Sequence, residues 1–193
     1  MSRLPLRRVP HISPRFLRGN VGVNNLRLKS GMGRQHTYTV TVTWTGNTGH
    51  GTTGYRNYER SHEIAAPGKS TIHGSSDPAF RGDAARWSPE ELLVASLSAC
   101  HKLWYLHLCA DAGVVVETYM DEAVGVMEES AGGGGQFVRV TLKPEVGVAA
   151  GSDCALALSL HAAAHAKCYI ARSVNFPVLC QPSVKQRDLP VQE

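Results

Sequence analysis

No aspartate or glutamate precedes Glu59, whereas residues 1–34 carry eight basic side chains: Arg3, Arg7, Arg8, Arg15, Arg18, Arg27, Lys29 and Arg34. The formal charge of +4 therefore belongs to this leader, and the rest of the chain holds 12 basic against 16 acidic residues. A basic surface spread over the whole molecule is excluded, so a nucleic-acid partner is not expected beyond the leader. No run of about eighteen apolar residues exists, which excludes a helical membrane span. The leader has no apolar h-region, which excludes a secretory signal. The five cysteines, at 100, 109, 154, 168 and 180, include no CxxC pair. An odd number at wide spacing argues against both a disulfide scaffold and a zinc ribbon. With no export signal, the expected compartment is reducing and the expected location cytoplasmic.

The leader also contains three prolines, Pro5, Pro10 and Pro14. It reads as a transit-like peptide, a basic arm, or an upstream extension ahead of a start at Met32. The expected organisation is a basic extension over residues 1–34 and one domain over 35–193, a length that can bury its own core.

Strand-like alternation opens the domain in HTYTVTVTW, His36 to Trp44. A glycine-rich turn follows (GNTGHGTTG), then a second strand in RSHEIAA and a third near Ser70 to His73. After a loop, SPEELLVASLSACHKLWYLHLCADAG has the marks of one long helix. Ser88 is its N-cap, Pro89 its first residue, Glu91 completes a capping box, and Gly113 supplies the stop. Its leucines wrap the circumference, which predicts a core helix. Two strands, VVVETYMDEAVGVME and GGQFVRVTLKPEVGV, are expected to form a hairpin around SAGGGG. Asp153 is placed to cap a second helix, rich in small residues, and SVNFPVLCQPSV to form a final strand. Strands and helices segregated in this way predict an α+β fold with antiparallel sheet.

Two cysteines occupy suggestive positions: Cys100 midway along the long helix and Cys168 at the end of the second. Helix packing could bring them together as a redox pair, although free cysteine is most often a small buried hydrophobe. Cys109, Cys154 and Cys180 read as core or incidental residues. His161, His165 and Cys168 stand at i, i+4 and i+7 on one helix face, and with Cys100 and His101 they could build a mixed N/S metal site. A reactive thiolate needs a cation beside it, since burial alone raises its pKa. Arg56, Arg60 and Arg81 are the loop arginines available, and Glu90 or Glu91 could orient a guanidinium.

Taken together, SPEELLVASLSAC and AHAKCYIARSVNFPV resemble the two signature blocks of the OsmC/Ohr family, the osmotically induced and organic-hydroperoxide-resistance proteins. Pro89-Glu90 stands ten residues before Cys100, and Cys168 is followed by Ser173-Val174-Asn175, as in that family. The resemblance covers residues 36–185. It implies antiparallel sheets packed around two central helices in an intertwined homodimer. It further implies a thiol peroxidase acting on organic hydroperoxides or hydrogen peroxide. Cys100 would be the peroxidatic thiol, Cys168 the resolving thiol, and Glu90 would orient an arginine, with Arg81 favoured and Arg60 behind it. No bound cofactor is implied; the reductant would be an external dithiol such as a dihydrolipoyl group or a lipoylated protein. Ten residues of straight helix place Glu90 ~15 Å from Cys100. The resemblance thus predicts that each site borrows groups from a second subunit.

The chain departs from the family pattern at three points. Tyr169 replaces the proline that commonly follows the second cysteine, His101 follows the first, and TGNTGHGTTG carries His50 but no arginine. An OsmC-like paralogue is therefore expected. The rival reading keeps the fold but assigns metal or small-molecule binding to His101, His161, His165 and the two cysteines.

Overall fold

A computed structural model describes residues 34–187. The basic leader, read above as an arm or extension, lies outside the described residues except for Arg34. The described residues from Thr39 onward form one compact unit, and the account below concerns that unit.

Its elements run β1 (Thr41–Trp44), β2 (His62–Ala65), β3 (Ile72–Gly74), α1 (Pro89–Asp111), β4 (Val116–Asp121), β5 (Val124–Glu129), β6 (Gly135–Leu142), β7 (Pro144–Val148), α2 (Cys154–Lys167), β8 (Val178–Cys180) and β9 (Ser183–Gln186). The fold is α+β, as expected. The three strands before α1 form one antiparallel sheet, although the first is shorter than the alternating stretch that suggested it.

Both helices begin where the sequence marks them. The Ser88 hydroxyl accepts the Glu91 N–H, and the Glu91 carboxylate accepts the Ser88 N–H at 2.8 Å. The Asp153 carboxylate accepts the N–H groups of Ala155 and Leu156. Each cap satisfies amides that a helix start leaves without partners. α1 ends at Asp111 with Ala112 as its C-cap, and Gly113 follows at φ 73°, a conformation that glycine adopts without steric cost.

The region after α1 differs from the expected pair of strands. Each long alternating stretch is split, so there are four strands; β4 pairs with β7 and β5 with β6. The final segment is likewise two strands, and both pair in parallel: β8 with β6, β9 with β7. The result is two mixed three-stranded sheets, β4-β7-β9 and β5-β6-β8.

Asp121 makes the splitting possible. It ends β4 opposite Pro144, which begins β7 and has no N–H to give to a ladder. Its carboxylate accepts the Lys143 N–H at 2.7 Å, at the single residue between β6 and β7. The other oxygen accepts the Ser98 hydroxyl of α1 at 2.5 Å. One side chain thus pins both corners to the helix.

α1 is not buried on every side of one chain. Leu97, His101, Tyr105 and Cys109 form its buried stripe, while Leu103 is 65% exposed. Two small sheets and one helix can cover only one face of a 23-residue rod. The first half of the stripe packs through Leu97 on Val140 and Leu142 of β6. The second half packs through Tyr105 and Cys109 on Val146, Val148, Ala157 and Ala164. β5 approaches α1 closely at Gly125, where an added Cβ would lie 2.6 Å from both Val94 and Phe137.

Replacing Asp121 with alanine removes two charge-assisted hydrogen bonds at the corner. Urea unfolding of Asp121→Ala is expected to show a loss of about 1.5–3 kcal/mol per bond at most, with an unchanged m value.

Candidate active site

α1 and α2 pack against each other, and this brings Cys100 and Cys168 together. Cys168 is not in the last turn of α2 but is its C-cap, with extended backbone (ψ 111°). That break turns the thiol inward, where it is 1% exposed and accepts the Ala171 N–H at 3.4 Å. Burial pushes the Cys168 thiol up to about 11, and the neighbouring Cys100 thiol, close enough to hydrogen-bond, adds to the rise. Both cysteines are free, and Cys100 is the more accessible of the two. A half-buried thiol beside a buried, protonated one can form a disulfide once the first is oxidised.

The other expected participants are not gathered around Cys100 within one chain. α1 is unbroken from Pro89 to Asp111, so Glu90 stays about a 15 Å helical rise away. Glu90 instead lines a groove of about 770 Å³ along α1, with Trp87, Val94, Val124, Met127 and Phe137 among its walls. Its Oε2 is buried and has no hydrogen-bond partner among the described residues. Arg60 and Arg81 share a different recess, with His50 and Arg56. The Arg60 guanidinium lies 4.3 Å from the ring centroids of both Tyr55 and Tyr58 and donates to both their carbonyls. Arg81 is exposed, in left-handed conformation at φ 66°.

The histidines assemble differently from the expected metal site. His101 Nε2 lies 3.0 Å from His161 Nδ1 and 3.6 Å from Cys180 Sγ. The cysteine in this cluster is thus Cys180, which the sequence reading set aside, and not Cys100 or Cys168. Nothing local marks Cys180: it arrives at the end of β8 through the parallel pairing with β6, where it faces Leu142 in register. Burial pushes His101 and His161 down to about 4, His165 lowering His101 further while Asp121 opposes the shift. His165 stands outside the trio, with Nδ1 buried and unpaired among the described residues. Cys109 is a core residue whose thiol burial raises, and Cys154 opens α2.

Residues 82–182 match the family described as OsmC-like protein. The chain belongs to the OsmC family. An OsmC-like protein of unknown function from Vibrio cholerae is 30% identical, with a TM-score of 0.70 over 77% of this chain and all of that one. More distant OsmC-family folds include an organic hydroperoxide resistance protein from Legionella pneumophila (18% identity, TM-score 0.56, 78% of this chain and 99% of that one). Another is the organic hydroperoxide resistance protein OhrB of Bacillus subtilis (21%, 0.52, 77% and 98%). No curated protein matches the chain. Among the described residues, no helix of this OsmC protein is long and apolar enough to cross a membrane.

Burial, reinforced by the neighbouring Cys100 thiol, keeps Cys168 predominantly protonated at neutral pH. Its alkylation by iodoacetamide is expected to be at least tenfold slower in the folded, reduced protein than in urea, read by peptide mass mapping. It should accelerate as pH rises toward 11 in the folded state.

Proposed function

We propose that this OsmC protein is a cysteine-based peroxidase that reduces organic hydroperoxides or hydrogen peroxide. The observation that carries the reading is the meeting of Cys100, midway along α1, with Cys168, the C-cap of α2. The Cys100 thiolate attacks the terminal peroxide oxygen, and the O–O bond breaks. Cys100 becomes a sulfenic acid and the alkoxide leaves as the alcohol after taking a proton. The Cys168 sulfur then attacks the Cys100 sulfur, expelling water as its own proton joins the departing hydroxide, and a disulfide remains. An external dithiol of the dihydrolipoyl kind returns both thiols and is itself oxidised to a disulfide.

The second subunit belongs to this reading. Glu90 has a buried carboxylate oxygen without a partner among the described residues, in a groove with several apolar walls, and an unpaired buried carboxylate oxygen is costly. Leu103 and Trp87, 65% and 52% exposed, leave apolar surface on and beside α1. A two-fold homodimer would cover that surface and let Glu90 of one subunit orient an arginine, Arg81 before Arg60, toward Cys100 of the other. A reducing, cytoplasmic setting keeps the thiols ready for the cycle.

Peroxide consumption with dihydrolipoamide tests the chemistry. Cys100→Ser is expected to reduce the rate at least a hundredfold, and an unchanged rate would sink the proposal. Cys168→Ser should allow one turnover and leave a sulfenic acid that dimedone traps on Cys100. Light scattering on the full chain should give twice the 20.8 kDa monomer mass; a monomer that retains full activity would remove the borrowed-group part of the reading.

A further inference from the structure

His101, His161 and Cys180 come from three different elements, α1, α2 and the end of β8, and close on one point. From this geometry we infer a second site in the protein: a buried transition-metal site of the zinc type, with His101 Nε2, His161 Nδ1 and Cys180 Sγ as ligands. It shares no side chain with the Cys100–Cys168 pair, and it does not depend on the peroxidase reading.

The spacing fits a single ion. Zinc bonds of ~2.0–2.1 Å to nitrogen and ~2.3 Å to sulfur imply tetrahedral edges of about 3.3 Å between nitrogens and about 3.5 Å between nitrogen and sulfur. The structure has 3.0 Å and 3.6 Å for the two contacts of His101, and all three ligand atoms lie within 4.8 Å of one another. His101 Nε2 and His161 Nδ1 now face each other along the line joining the two nearly coplanar rings. Tetrahedral geometry therefore requires each ring to swing by about 35° for both lone pairs to converge on one ion.

The surroundings also favour a cation. Both imidazoles are buried, and a neutral imidazole in the matching tautomer offers a metal one ring nitrogen. The His161 ring is stacked on Tyr105 at 3.8 Å between centroids and is nearly parallel to His101, whose centroid lies 5.3 Å away. Asp121 is an anion close enough to act on His101 and Cys180 alike. Together with a Cys180 thiolate it balances a divalent charge. Binding would release the Cys180 thiol proton. Two nitrogens and one sulfur leave a fourth coordination position, the pattern of a zinc site open to an exogenous ligand. As a donor set, imidazole with thiolate selects zinc or copper over magnesium or calcium.

Cobalt(II) is the probe. The full-length protein, reduced, stripped with chelator and desalted, is titrated with Co²⁺ under anaerobic conditions. Expected are one Co²⁺ per chain, a thiolate-to-cobalt charge-transfer band, and visible d–d bands of four-coordinate intensity that one equivalent of Zn²⁺ removes. Cys180→Ser should abolish the charge-transfer band, and His161→Gln should weaken binding at least tenfold. The Cys100→Ser, Cys168→Ser double variant should keep both features. Circular dichroism checks each variant's fold, and His161→Gln carries the test if Cys180→Ser fails to fold. The proposal is overturned by the absence of saturable uptake, by a charge-transfer band that survives Cys180→Ser, or by a band that disappears only with Cys100 and Cys168. The first of these would leave the trio as a hydrogen-bonded cross-link between helices.

Discussion

Asp121 stands where β4 stops, and its two oxygens are already committed: one to the backbone of Lys143, the other to the Ser98 hydroxyl on α1. Without an anchor of this kind, β4–β5 and β6–β7 could run on as two long strands in a single hairpin. Bending both at the same level lets each long segment serve two sheets, one under each half of α1. The corner also sets the field inside the unit. Asp121 is the anion that opposes the lowering of His101 and raises the affinity of Cys180 and Tyr119 for their protons. A residue that looks like a strand terminator therefore governs topology, helix position and electrostatics together.

What could be read from the chain beforehand follows from range. Ser88, Glu91, Gly113 and Asp153 act on amides a few residues away, and the helices they bound formed where they said. The β5–β6 turn was equally legible, since SAGGGG offers positive φ at Gly133 and Gly134. The strand corners were not, because alternation continues through Glu122-Ala123 and only Pro144 hints at an interruption. Nor could a sequence show β8 and β9 pairing in parallel with β6 and β7, a choice made by packing. The thiol pair was legible through family resemblance more than through spacing. The cysteine of the histidine cluster was not legible at all, for it depends on the register of a parallel strand.

The interior of α1 is organised by small residues opposite large ones. Tyr105 and His101 can reach across to α2 because Ala157 and Ala164 present so little bulk there, both fully buried. Close packing of this kind makes the interior unforgiving of added volume. It also accounts for the position of Cys168: α2 must stop just as it meets the middle of α1, and the turn that follows sets the thiol against Cys100.

Gly125 carries a different lesson. With a methyl group at that position, β5 would have to retreat from Val94 or push Phe137 aside. Val94, Gly125 and Phe137 are all walls of the same groove, so its calibre there is governed by a side chain the protein does without. The groove behaves as a gauge whose setting is one hydrogen atom. A chain with the same fold and the same thiols but alanine at this point would have a groove of different width beside α1.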